Sequence, residues 1–117
     1  MRHRKVGRKF HRKTGVRRAF MRSLVCALIK SESIETTEAR AKSLKPDFEK
    51  ALTMARRGDV ASRRLLIQRI HDKKLVNKLV DDIAPRYKDR KGGYTRITKL
   101  AKVRKRDGSR LVEISLV

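Results

Sequence analysis

The first acidic residue of this chain is Glu32, and 11 Lys/Arg precede it. A segment charged in one sign repels itself and cannot close a core of its own. Folding must therefore be driven from further along the chain, and the charge calls for a polyanionic partner. Residues 32–85 hold 12 basic and 9 acidic side chains, whereas residues 86–110 hold 11 and 2. Residues 111–117 add only Glu113. Two basic blocks thus bracket a nearly neutral middle, in a chain of 117 residues with a formal net charge of +22. Hydrophobic residues make up 38% of the chain, enough for one small core and too many for pure disorder.

Residues 1–13, MRHRKVGRKFHRK, have only Val6 and Phe10 as clear apolar anchors, and Gly7 interrupts any helix. They read as an extended arm that orders on its partner, followed by one globular domain over 14–117. Arg outnumbers Lys in the arm, and the planar guanidinium pairs bidentately with phosphate.

A first helix is expected after Thr14 or Gly15, with Val16, Phe20, Leu24 and Leu28 at four-residue spacing on its packing face and Arg17, Arg18 and Arg22 elsewhere. Cys26 in this helix reads as a small buried apolar residue. A short strand follows over 33–37, and Thr37 can cap the second helix. That helix buries Ala41, Leu44, Phe48, Leu52 and Ala55; Pro46 predicts a kink or a split into two. Gly58 ends it, Asp59 caps a third helix over 60–70, and Asp72 caps a fourth. The fourth carries the stripe Leu75, Val76, Leu79, Val80, Ile83 until Pro85. Beyond Gly92 and Gly93 the period shifts to that of strands over 94–103 and 111–117, with Asp107 and Gly108 as a hairpin turn. The expected class is α+β: helix, strand, three helices, two strands, in two layers with a small mixed sheet.

The longest uncharged run, residues 23–29, is far short of the ~20 residues a membrane helix needs, and no secretory leader pattern opens the chain. One cysteine cannot form an intrachain disulfide. Cys26, His3, His11 and His71 lack metal-ligand spacing. Asp81 and Asp82 are adjacent on a helix and diverge, and Gly92-Gly93-Tyr94 is no phosphate-cradling loop. No enzyme activity, cofactor, metal, membrane or small-molecule substrate is expected.

Three blocks carry a resemblance. Met1-Arg2-His3-Arg4-Lys5 with Gly7-Arg8 is the first. Ile34-Glu35-Thr36-Thr37 followed by Arg40-Ala41-Lys42 is the second. Pro85-Arg86-Tyr87-Lys88-Asp89-Arg90 leading into Gly92-Gly93-Tyr94-Thr95-Arg96-Ile97 is the third. In this order they resemble the bL17 family, bacterial large-subunit ribosomal protein seventeen. The resemblance implies a cytoplasmic, ribosome-bound structural constituent of the large subunit. Such a constituent binds 23S rRNA near the outer part of the peptide exit tunnel, beside neighbouring large-subunit proteins. A DNA-compacting or loosely ribosome-associated basic protein is the alternative.

The rRNA contacts expected from charge and side-chain type are Arg2, His3, Arg4, Lys5, Arg8, Lys9, His11, Arg12 and Lys13 in the arm. Arg17, Arg18 and Arg22 extend them along the first helix. Arg86, Arg90, Lys91, Gly92, Gly93, Tyr94 and Arg96 form the second group, with Lys88 beside them. Tyr94 is expected to stack on a base or sugar, and Gly92 and Gly93 to let RNA approach the backbone.

Overall fold

The computed structural model describes His3 and residues 7–117. The element order is α1 (Thr14–Ser31), β1 (Ser33–Thr37), α2 (Glu38–Arg57), α3 (Val60–Ile70), α4 (Lys73–Lys78), β2 (Thr95–Val103) and β3 (Arg110–Leu116). Three helices start where a side-chain oxygen meets an otherwise unpaired amide. Thr37 accepts from the Arg40 amide, Asp59 from that of Ser62, and Asp72 from those of Lys74 and Leu75. Helix α2 stops at Gly58, whose φ of 67° is the left-handed conformation glycine adopts freely.

Helix α2 runs unbroken through Pro46, so the expected split does not occur. Its buried side, Ala41, Leu44, Phe48, Leu52 and Ala55, is continuous across the proline, and packing on it outweighs the lost backbone bond. After α4 the chain stays helical, widening to a π turn over Leu79–Ile83 and tightening to a 3₁₀ turn over Ala84–Tyr87. The change of pitch keeps Leu79, Ile83, Ala84 and Tyr87 all directed into the core.

The strands form one sheet in the order β1-β3-β2, antiparallel in both pairings and so not mixed. Ile34, Ile97 and Ile114 face one another across the three strands. Val112 and Ile114 are buried, and Ile34, Ile97 and Leu116 pack against the core on the same face. Helix α2 lies across all three strands; α1 and α3 pack against it, and α4 packs against α1 and α3.

Two expectations for α1 change. Its buried residues are Val25, Leu28 and Ile29, with Met21 beside them, whereas Val16 is 57% exposed. The first turn extends past the helical layer, so the four-residue spacing that begins at Val16 meets nothing there. Cys26 is half-buried with Sγ 3.8 Å from the Ile70 carbonyl, and burial pushes its thiol pKa up. The end of the arm also folds back. Phe10 and His11 adopt positive φ of 52° and 54°, uncommon outside glycine, and turn the chain onto α1. There the Phe10 ring meets Phe20 edge-on at 5.5 Å between centroids. The Arg12 guanidinium lies 4.1 Å from the Phe20 centroid and that of Arg40 5.1 Å.

Candidate nucleic-acid interface

Of the 34 Lys/Arg, 31 lie among the described residues. Only six of these reach a carboxylate: Lys42, Arg63, Lys78, Arg86, Lys102 and Arg104. The unpaired cations are not spread evenly. A groove of about 1190 Å³ runs between α1, α2 and α3. Its floor is Met21, Val25, Ala51, Leu66 and Ile70; its rim is Arg8, Arg17, Arg18, Arg22, Lys50 and Arg69, together with Lys42, which pairs with Glu38, and with Asp47 as its carboxylate. Arg22 Nη1 approaches His71 Nε2 at 3.4 Å at one end.

A second cleft, lined by Glu49, Lys50, Arg57, Arg69, Lys91, Gly92 and Tyr94, shares Pro46, Lys50 and Arg69 with the groove. The tract therefore continues from Arg8 along α1, over Lys50 and Arg69, to the loop at Lys91. A third cleft beside the arm gathers Arg8, His11, Arg12, Arg40 and Arg110. The two basic blocks of the sequence are joined in space by residues of the nearly neutral middle.

Lys50, Arg57, Arg69, Arg40 and Arg110 were not among the expected contacts. The signal for part of them was present: Lys42, Pro46, Lys50 and Arg57 recur on one side of a helix at spacings of four and seven. Arg69 and Arg110 carry no such mark, because their neighbours in the tract come from other elements.

The expected contacts fall into distinct places. Arg8, Arg17, Arg18 and Arg22 line the groove, and His11 and Arg12 the arm-side cleft. Lys9, Lys13 and His3 are exposed, while Arg2, Arg4 and Lys5 lie outside the described residues. Arg90, Lys91, Gly92 and Gly93 form an exposed turn, with Gly93 at φ 64° and Arg90 Nη1 donating to the Gly93 carbonyl at 3.2 Å. Arg96 is exposed on β2, on the sheet face opposite Ile97.

Two expectations need correction. Tyr94 is 1% exposed, so its ring has no free face for a base. It packs edge-on against Tyr87 at 5.4 Å. Its hydroxyl accepts from Arg56 Nη1 at 2.6 Å and donates to the Arg90 carbonyl at 3.1 Å. An aromatic next to two glycines and a basic run looks like a stacking platform in sequence, but the start of β2 turns it inward. Arg86 is committed to carboxylates: Nη1 and Nη2 donate to Glu32 at 2.7 and 3.1 Å, and Nη2 also donates to Asp82 at 3.1 Å. The Arg86 bond holds the Glu32 carboxyl below the usual range, and the same bond raises Arg86. Lys78 adds a contact to Glu32 at 3.7 Å. Arg86 therefore ties the end of α1 to the turn after α4 instead of facing outward with its charge free.

Chemically, the exposed guanidinium and ammonium groups of the tract suit phosphate oxygens. Among the described residues, no group of three or more His, Cys, Asp and Glu is placed to hold a metal, and no helix is long and apolar enough to cross a membrane.

The profile of the family described as Ribosomal protein L17 matches residues 20–117. The large ribosomal subunit protein bL17 of Thermus thermophilus is 45% identical over 117 residues, covering 100% of this chain and 99% of that protein. Its counterpart in Caldanaerobacter subterraneus subsp. tengcongensis is 50% identical over 110 residues, 94% of this chain and 97% of that protein. That of Maridesulfovibrio salexigens is 47% identical over 116 residues, 99% of this chain and 82% of that protein. With near-full-length identity at this level, and with the profile matching residues 20–117, the chain belongs to the ribosomal protein L17 family.

Proposed function

We propose that this protein is a structural, non-catalytic constituent of the large ribosomal subunit that binds and stabilises 23S rRNA. The observation that carries the reading is the continuous cationic tract from Arg8 to Lys91, opposed along the α1–α2–α3 groove by Asp47. Such a surface is stabilised when closely spaced phosphates displace their counterions onto it, and each neutralised phosphate steepens the salt dependence of binding. The basic arm adds further cations to the charge of the tract. The folded body would then act as a wedge that fixes the RNA segments lying against two of its sides. The sequence resemblance supports a location near the outer part of the exit tunnel, beside other large-subunit proteins.

The test is salt titration on a large-subunit rRNA fragment, paired with co-sedimentation in high salt. Deleting residues 1–13 removes Arg2, Arg4, Lys5, Arg8, Lys9, Arg12 and Lys13. The slope of log affinity against log salt should flatten by several units, at roughly 0.7–0.9 per phosphate contact. The full chain should stay with the large subunit in salt that removes loosely held factors. A chain that washes off, or preference for duplex DNA over rRNA at equal salt, would overturn the reading.

A further inference from the structure

The loop at 88–93 exposes Lys88, Arg90 and Lys91, yet it has no strand partner of its own. Its inner side is held from α2. Arg56, half-buried in the last turn of that helix, donates from Nη2 to the Lys88 carbonyl at 2.9 Å and from Nη1 to the Tyr94 hydroxyl at 2.6 Å. Tyr94 passes the constraint on by donating to the Arg90 carbonyl. Below it the Tyr87 hydroxyl donates to the Val117 carbonyl at 2.8 Å, and the Val117 amide to the Tyr94 carbonyl at 3.0 Å. One guanidinium thus fixes both ends of a loop that the sheet does not reach.

Arg56 is held there without an ion pair. None of the ion pairs among the described residues includes it, and its Nε is buried with no partner. A half-buried cation with one orphaned donor is costly to keep. Its other two contacts both go to the segment that carries the exposed cations. The fork geometry matters: a guanidinium bridges two acceptors at a fixed spacing, whereas an ammonium is a point donor.

We propose that Arg56 is a positioning residue for RNA binding: it sets the conformation of the 88–93 loop so that Arg90 and Lys91 meet phosphates already in place. The proposal rests on the RNA-binding reading above. Arg56 itself touches no phosphate.

The variants are Arg56→Lys, which keeps the charge and loses the fork, and Tyr94→Phe, which keeps the packed ring and loses both hydroxyl bonds. Amide hydrogen exchange of the free protein is measured across 86–96, and salt titration is run on the same rRNA fragment as for wild type. Both variants should show faster exchange confined to this segment. Affinity should weaken by about two- to thirtyfold, the range over which packed networks modulate a neighbouring site. The salt slope should stay at the wild-type value. Weaker binding by Arg56→Lys with unchanged exchange across the loop would make Arg56 a direct RNA contact and overturn the proposal. Faster exchange with wild-type affinity would also overturn it, because the loop would then need no preorganisation. A wild type without salt-dependent binding would instead sink the RNA-binding reading, while the exchange data would still show whether Arg56 orders the loop.

Discussion

Two arginine-bearing regions of this molecule use their charge in opposite ways. In the groove between α1, α2 and α3, Arg18, Lys50 and Arg69 are exposed and meet no carboxylate among the described residues. At the corner where α1 ends, Glu32 receives Arg86 through both carboxylate oxygens and Lys78 from the side, and Asp82 takes the remaining reach of Arg86. The corner is an internal clasp and the groove an external one. Cation density along a sequence therefore does not map a binding surface; the acids that the fold brings alongside decide which cations stay available.

The comparison depends on both regions hanging from one core, and breaking that core gives the largest expected effect. Leu79 is fully buried at the start of the π turn, between the corner and the helical layer. Leu79→Asp puts an unpaired charge there, at a cost of several kcal/mol against a net stability of about 5–15 kcal/mol. Cooperative melting in calorimetry should disappear, and with it both the clasp and the groove. A melting curve like wild type would mean this stripe is not core.

Removing charge from the groove should leave the fold alone. The triple variant Arg18→Gln, Lys50→Gln, Arg69→Gln takes three unpaired cations from two shared clefts. Its salt slope on large-subunit rRNA should flatten by roughly 2 to 3 units with an unchanged Tm. An unchanged slope would move the interface away from the middle of the chain and back to its two basic ends.

The corner should give the converse result. Arg86→Ala removes three hydrogen bonds that are partly open to solvent, so screening limits the loss to about 1 kcal/mol or less. The melting temperature should fall by a few degrees while the salt slope stays put. A flattened slope with unchanged melting would show that Arg86 leaves its carboxylates for phosphate on binding, and the contrast between the regions would collapse.

The smallest effect is a pH dependence that only the corner should show. Glu32 is held below its ordinary value of 4.5, chiefly by its bond from Arg86. A depressed carboxylate contributes stability above its unfolded pKa, and that contribution is lost as pH falls through the folded one. The gap in melting temperature between wild type and Arg86→Ala should therefore be full near neutrality and shrink below about pH 4.5. A gap that persists in strong acid would mean that Arg86 acts through packing of its stem rather than through Glu32.

Much of the fold was legible because its signals are local. A cap needs one side chain and an amide two or three residues on, so Thr37, Asp59 and Asp72 could be read in place. The buried face of α2 follows from the helical period alone. The errors arise where the answer depends on what lies across the molecule. Val16 keeps the period but projects beyond its neighbours, and Tyr94 looks like a surface aromatic until Tyr87 and Arg56 close over it. Arg86 looks free until Glu32, 54 positions away, arrives beside it.

What the sequence determined by itself is the order of elements, their caps, the identity of most of the core and the need for a polyanionic partner, since propensity, period and net charge are properties of short segments or of simple sums. What only the tertiary structure decided is the path of that charge. Ion pairing and burial are relations between residues far apart in the chain, and a Coulomb interaction depends on distances that no spacing in the sequence records. Packing α1, α2 and α3 together turned Lys50 and Arg69 from members of a neutral middle into the bridge between two basic ends, while the fold tied the charge of Arg86 to Glu32 and buried Tyr94.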